Sequence, residues 1–134
     1  MSALDGITGL DLTDGPAGAL TTMLLCDHGA RVIRVVDLHD TAPRHGGYLV
    51  WDRGKECIRL DLAQLVPPAQ RRRSDAPEAP TASEDPNGFF EHLMRHADVL
   101  VENFAPASPR QAIVPFDWLS AIIPRLVHCS ITAY

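Results

Sequence analysis

A chain of 134 residues with 46% hydrophobic and 22% charged residues can bury one domain core and lies well away from the composition of disordered chains. Its formal charge of −5 excludes the basic surface that nucleic acid and anionic membranes require, and no apolar run reaches membrane-spanning length. Lys55 is the sole lysine, so guanidinium groups supply nearly all the cations; Cys26, Cys57 and Cys129, widely spaced in apolar runs, read as buried free thiols in a reducing cytoplasm.

In chain order, residues 6–13 have the short, bounded apolar character of a strand and are followed by the turn Asp14-Gly15-Pro16-Ala17-Gly18. Pro16 suits the first position of a helix capped by Asp14 or Gly15. Leu20, Met23, Leu24 and Asp27 fall at helical spacing, the first three apolar, and Gly29 ends the run. Residues 31–36 are strongly β-branched, which completes a βαβ unit and implies a parallel sheet covered by helices. A polar stretch to Gly47 precedes Tyr48-Leu49-Val50-Trp51, and residues 57–62 alternate as a half-buried strand near a sheet edge should.

Residues 67–87 shift to Pro, Ala, Ser and charge and read as a flexible insertion, with Arg71-Arg72-Arg73 as a solvated loop. A short helix follows, with Phe89, Phe90, Leu93, Met94 and Ala97 on its apolar face. Strands are predicted at 98–102 and 126–132, separated by an amphipathic segment from Phe116 to Ile123. The alternation predicts an α/β, Rossmann-like three-layer domain with a mainly parallel sheet, the N-terminal part of a larger domain, because a sheet rarely ends on an uncovered apolar strand.

Two site readings come from the residues alone. His92 and His96 have the i,i+4 spacing of metal ligands but no glutamate between them, and His28, His39 and His45 match no ligand pattern, so no metal is expected. The first turn lies at a helix N-terminus, which favours phosphate, and Asp37 lies about twenty residues on, as a ribose-binding acid does in NAD-type folds. Gly15-Pro16-Ala17-Gly18 nevertheless lacks the G-x-G-x-x-G spacing of that fingerprint.

Four ordered blocks carry a family resemblance. Leu4 to Val35 resembles L-x-G-I-x-V-L-D-L-T, A-G-P and M-L-L-A-D-L-G-A-x-V-I-K-V-E, and Arg53 to Leu62 is similar to N-R-N-K-x-S-I-x-L-D-L. Ala97 to Phe104 reproduces A-D-V-L-V-E-N-F, and Pro124 to Ile131 is similar to P-R-L-V-Y-C-S-I. Together they resemble the N-terminal portion of the family III CoA-transferases, the formyl-CoA transferase, carnitine CoA-transferase and α-methylacyl-CoA racemase group.

The resemblance implies coenzyme A or acyl-CoA as ligand, with Gly15, Pro16 and Ala17 in the turn, Leu60 on the third strand, and Asn103 with Phe104 as binding residues. It implies a homodimer or an intact family subunit as partner, and an active site completed by segments that follow Tyr134, so that no catalytic residue is expected among these 134. Asp37, Ala63 and Ala105-Pro106-Ala107 stand where the family carries cations or R-P-G, leaving Arg34, Arg53, Lys55 or Arg110 to compensate. A degenerate, non-catalytic assembly module is therefore the second expectation.

Overall fold

The computed structural model describes residues 1–42, 45–71 and 81–132. Five strands, β1 (Thr8–Asp11), β2 (Arg31–Asp37), β3 (Glu56–Leu60), β4 (Val99–Glu102) and β5 (Val127–Ser130), form one sheet in the order β3-β2-β1-β4-β5. Every pairing is parallel, with Leu10 opposite Ile33 and Leu100, so the domain is the Rossmann-like α/β architecture that the alternation predicts. β3 is an edge strand, as its alternation suggested.

Helices α1 (Pro16–Asp27), α2 (Tyr48–Trp51), α3 (Pro86–Arg95) and α4 (Phe116–Ile122) join the strands. Leu10, Ile33, Val35 and Leu100 meet Phe90, Met94 and Leu119 of α3 and α4 in the principal core. The alternate residues Gly9, Asp11, Val32 and Arg34 point to the opposite face, where α1 lies. That helix buries Gly18, Ala19, Thr22 and Met23, while Leu20 and Leu24 are exposed, contrary to the expected apolar stripe. The reason is close approach: a Cβ on Gly18 would lie 2.2 Å from Thr13, so small residues must face the sheet and the leucines turn outward.

Several boundaries differ from the expected ones for local reasons. Gly6 has φ of 83°, outside strand conformation, so β1 begins at Thr8. The Asp61 carboxylate accepts the Ala63 N–H, turning the chain into a short 3-10 helix and ending β3 at Leu60. Asp85 caps α3 through the Gly88 N–H at 3.0 Å and Pro86 occupies its first position, so helix begins inside the stretch expected to be insertion. Residues 72–80 of that stretch, with Arg72 and Arg73, lie outside the described residues.

Arg71 departs from the solvated reading. Its Nε donates to the Val66 carbonyl at 3.0 Å and its Nη2 to the Ile113 carbonyl, and the guanidinium stacks over Trp118 at 5.3 Å. Burial presses its pKa down against the opposing pull of Glu91. Cys57 is exposed because it sits on an edge strand, whereas Cys26 and Cys129 are half-buried. No helix among the described residues is long and apolar enough to cross a membrane.

Candidate functional site

The strand order determines where a ligand fits. From the central β1 the chain winds one way to β2 and β3 and then crosses to the other side for β4 and β5, a reversal that leaves a crevice beyond the carboxyl ends of β1 and β4. A cavity of about 800 Å³ occupies this place, lined by Thr13 to Gly15 after β1, Asp37 at the end of β2, and Asn103, Phe104 and Arg110 after β4.

Asn103 ties the two central loops together across 89 residues of sequence. Its Oδ1 accepts the Asp14 N–H at 2.9 Å, and its Nδ2 donates to the Asp14 carbonyl. Gly15 follows with φ of 85°, a left-handed conformation that disfavours any side chain. Its N–H meets the Tyr48 hydroxyl at 2.7 Å and Asp14 Oδ1 at 2.9 Å; that hydroxyl also donates to Asp14 Oδ1. Residues Tyr48 and Trp51 of α2, with His45, line an adjoining hollow of about 560 Å³ that also touches Gly15 and Pro16.

Beneath the crevice lies a charged network between the sheet and α1. Asp11 is fully buried and accepts bonds from the Thr13 N–H, the Thr13 and Thr22 hydroxyls, and Lys55 Nζ at 3.0 Å. Lys55, whose side chain is 1% exposed, also donates to the Ala19 carbonyl and approaches Asp52 at 3.4 Å. Arg34, beside Asp11 in register, is 4% exposed, pairs with Asp52 at 2.5 Å, and lies 4.7 Å from the Tyr48 ring centre. Burial opposes its charge, but the hydrogen bond and charge of Asp52, with the charge of Asp11, carry its pKa upward.

The six residues expected to bind ligand separate in space. Gly15, Asn103 and Phe104 line the main cavity, and Pro16 lines the adjoining hollow. Ala17 is exposed in the first turn of α1, and Leu60 is a core residue at 2% exposure, while Leu62, two residues on, lines the cavity. None of the four cations suggested as replacements for phosphate contacts stands alone. Arg53 pairs with Asp27 at 2.6 Å, Arg110 with Asp37 at 2.9 Å, and Arg34 and Lys55 belong to the buried network.

Tyr48 and Asp52 were not singled out from the sequence. Their signal was the aromatic run immediately before Asp52-Arg53-Gly54-Lys55. At the C-terminal end of α3, the His92 and His96 rings lie 4.1 Å apart at a tilt of 37°, and His96 Nδ1 contacts the His92 carbonyl. Among the described residues no group of three or more His, Cys, Asp or Glu is arranged to hold a metal.

Similarity to known proteins extends over the whole chain. It is 32% identical to the succinyl-CoA:mesaconate CoA-transferase of Haloarcula hispanica, covering 100% of this chain and 33% of that protein. It is 30% identical to the succinyl-CoA:glutarate CoA-transferase of Mus musculus, covering 100% of this chain and 29% of that one. The crystal structure of Rv3272 from M. tuberculosis superposes with a TM-score of 0.71 at 27% identity, over 100% of this chain and 34% of that one. The chain thus spans about a third of the length of its relatives. With the model of CoA-transferase family III matching residues 4–66 and 82–134, the chain belongs to that family.

Proposed function

We propose that this chain supplies the crevice that holds the CoA portion of an acyl-CoA in a CoA-transferase or acyl-CoA racemase, and carries none of the groups that act on the thioester. The observation that carries the reading is the joined pair of loops beyond β1 and β4, in which one side chain, Asn103, holds the Asp14 backbone by both its N–H and its carbonyl. Both relatives named above are CoA-transferases whose names share succinyl-CoA and differ in the second acid, so CoA is the common ligand.

The two aspartates of the last third lie away from the crevice, which supports a binding role. Asp98 accepts the Thr8 N–H at 2.9 Å and a bond from Arg125, and Asp117 sits in the first turn of α4. In a CoA transfer of the family type a carboxylate attacks the thioester carbonyl and CoA leaves as thiolate. Neither aspartate lines the crevice.

Isothermal titration of the purified protein with CoA tests the reading. Binding in the range of about 10–500 μM is expected, with Asn103→Ala weakening it by about tenfold or more through loss of the loop tie. Tight binding indifferent to Asn103→Ala and Phe104→Ala would place CoA elsewhere. A second reading, a non-catalytic assembly module, is favoured by the paired cations described above, and absence of CoA binding at millimolar concentration would select it.

A further inference from the structure

Of the four cations that could meet ligand phosphate in place of the missing basic positions, the fold leaves one within reach of it. Arg34 lines the crevice but is buried and tied to Asp52. Lys55 is buried against Asp11. Arg53 is absent from the lining and grips both Asp27 oxygens, at 3.2 and 2.6 Å. Arg110 lines the crevice with a side chain 54% exposed. His39, also in the lining, faces Asp61 at 3.1 Å and carries charge only when protonated.

The contact that holds Arg110 is a weak one. Asp37 ends β2 and Arg110 follows β4, so their pair crosses over the end of β1, two strand spacings or about 10 Å. Asp37 Oδ1 accepts the His39 N–H at 3.1 Å, and Oδ2 alone meets Arg110, through Nη2 at 2.9 Å. Among the described residues the guanidinium fork of Arg110 thus uses one prong, where Arg53 uses two. An exposed, single-pronged ion pair contributes little, whereas a phosphate presents several charged oxygens that match two prongs at once. A phosphate entering the crevice can therefore take Arg110 from Asp37.

We propose that Arg110 is the phosphate-binding cation of the crevice, and that its pair with Asp37 is a latch across the mouth which ligand phosphate opens. The inference rests on the CoA reading above and deepens it, by naming the residue that meets phosphate and the contact that restrains it before ligand arrives. Asp37 is a positioning residue in this scheme, acting through Arg110.

Calorimetric titration of wild type, Arg110→Gln and Asp37→Asn with CoA and with 3′-dephospho-CoA tests it. Arg110→Gln should weaken CoA binding about tenfold or more, the scale of a charge-assisted contact, and flatten its dependence on salt. The same loss with dephospho-CoA assigns the contact to the diphosphate; a loss confined to CoA assigns it to the 3′-phosphate. Asp37→Asn releases Arg110, so CoA binding should tighten about two- to fivefold, a gain that a folding defect cannot produce. CoA affinity unchanged in Arg110→Gln, or unchanged or lowered in Asp37→Asn, overturns the proposal. Absence of CoA binding by all three proteins defeats the CoA reading itself, and the latch with it.

Discussion

Replacing Lys55 by methionine tests the charged network that fixes the base of the crevice. Methionine keeps most of the apolar stem and removes the ammonium group, leaving the fully buried Asp11 carboxylate without its cation and the Ala19 carbonyl without its donor. Breaking one side of a buried pair costs about 3–5 kcal/mol, because the remaining charge is uncompensated. Asp11 retains the Thr13 N–H and the two hydroxyls of Thr13 and Thr22, which argues for the lower end, about 3 kcal/mol. Urea unfolding followed by circular dichroism should then shift its midpoint down by about 1.5–2 M for a domain of this size. Adding Asp11→Asn should cost less than the sum of the single changes, with a coupling of about 1 kcal/mol or more. A loss under about 1 kcal/mol in Lys55→Met, or strictly additive singles, would refute the reasoning.

Gly18→Ala is expected to lower stability by about 2–3 kcal/mol, because the new Cβ would fall 2.2 Å from a Thr13 side chain that its bond to Asp11 prevents from moving; differential scanning calorimetry measures it. Arg71→Ala should cost about 1–2 kcal/mol through its carbonyl bonds and its Trp118 stack, whereas Arg95→Ala, which removes an exposed i,i+4 pair with Glu91, should cost under about 0.5 kcal/mol. Equal losses in chemical denaturation would contradict the placement of Arg71. Iodoacetamide at pH 8 with mass-spectrometric readout should modify exposed Cys57 before Cys26, whose thiol pKa is raised chiefly by burial and by the carboxylates of Asp27 and Asp11, against the pull of Lys55. Faster reaction at Cys26 would show that it is less buried than its place near the end of α1 implies.

The elements were legible wherever the signal was local. Pro16 after Gly15, Gly29 after the helix, and the β-branched run of β2 each act within a few residues, and each appears where the chain pattern put it. The start of α3 was equally local, in Asp85-Pro86, but was masked by the composition of the stretch around it. The face of α1 was less legible, since helical spacing counts apolar residues and takes no account of how closely a helix approaches its sheet. There Gly18, Ala19 and Thr22 are buried and larger leucines are left outside.

The electrostatics of the site depend on contacts that no window along the chain contains. Lys55 reaches Asp11 over 44 residues, Arg110 reaches Asp37 over 73, and Asn103 reaches Asp14 over 89. Each distance follows from the sheet order, because β2 and β4 flank β1 and bring the loops after all three strands over one crevice. Reading Arg34, Arg53, Lys55 and Arg110 in sequence therefore overcounts the charge available to a ligand: the fold that gathers these cations gathers a carboxylate for each. What remains at the mouth is a set of hydrogen-bond acceptors around Asp14, Asp37 and Asp40.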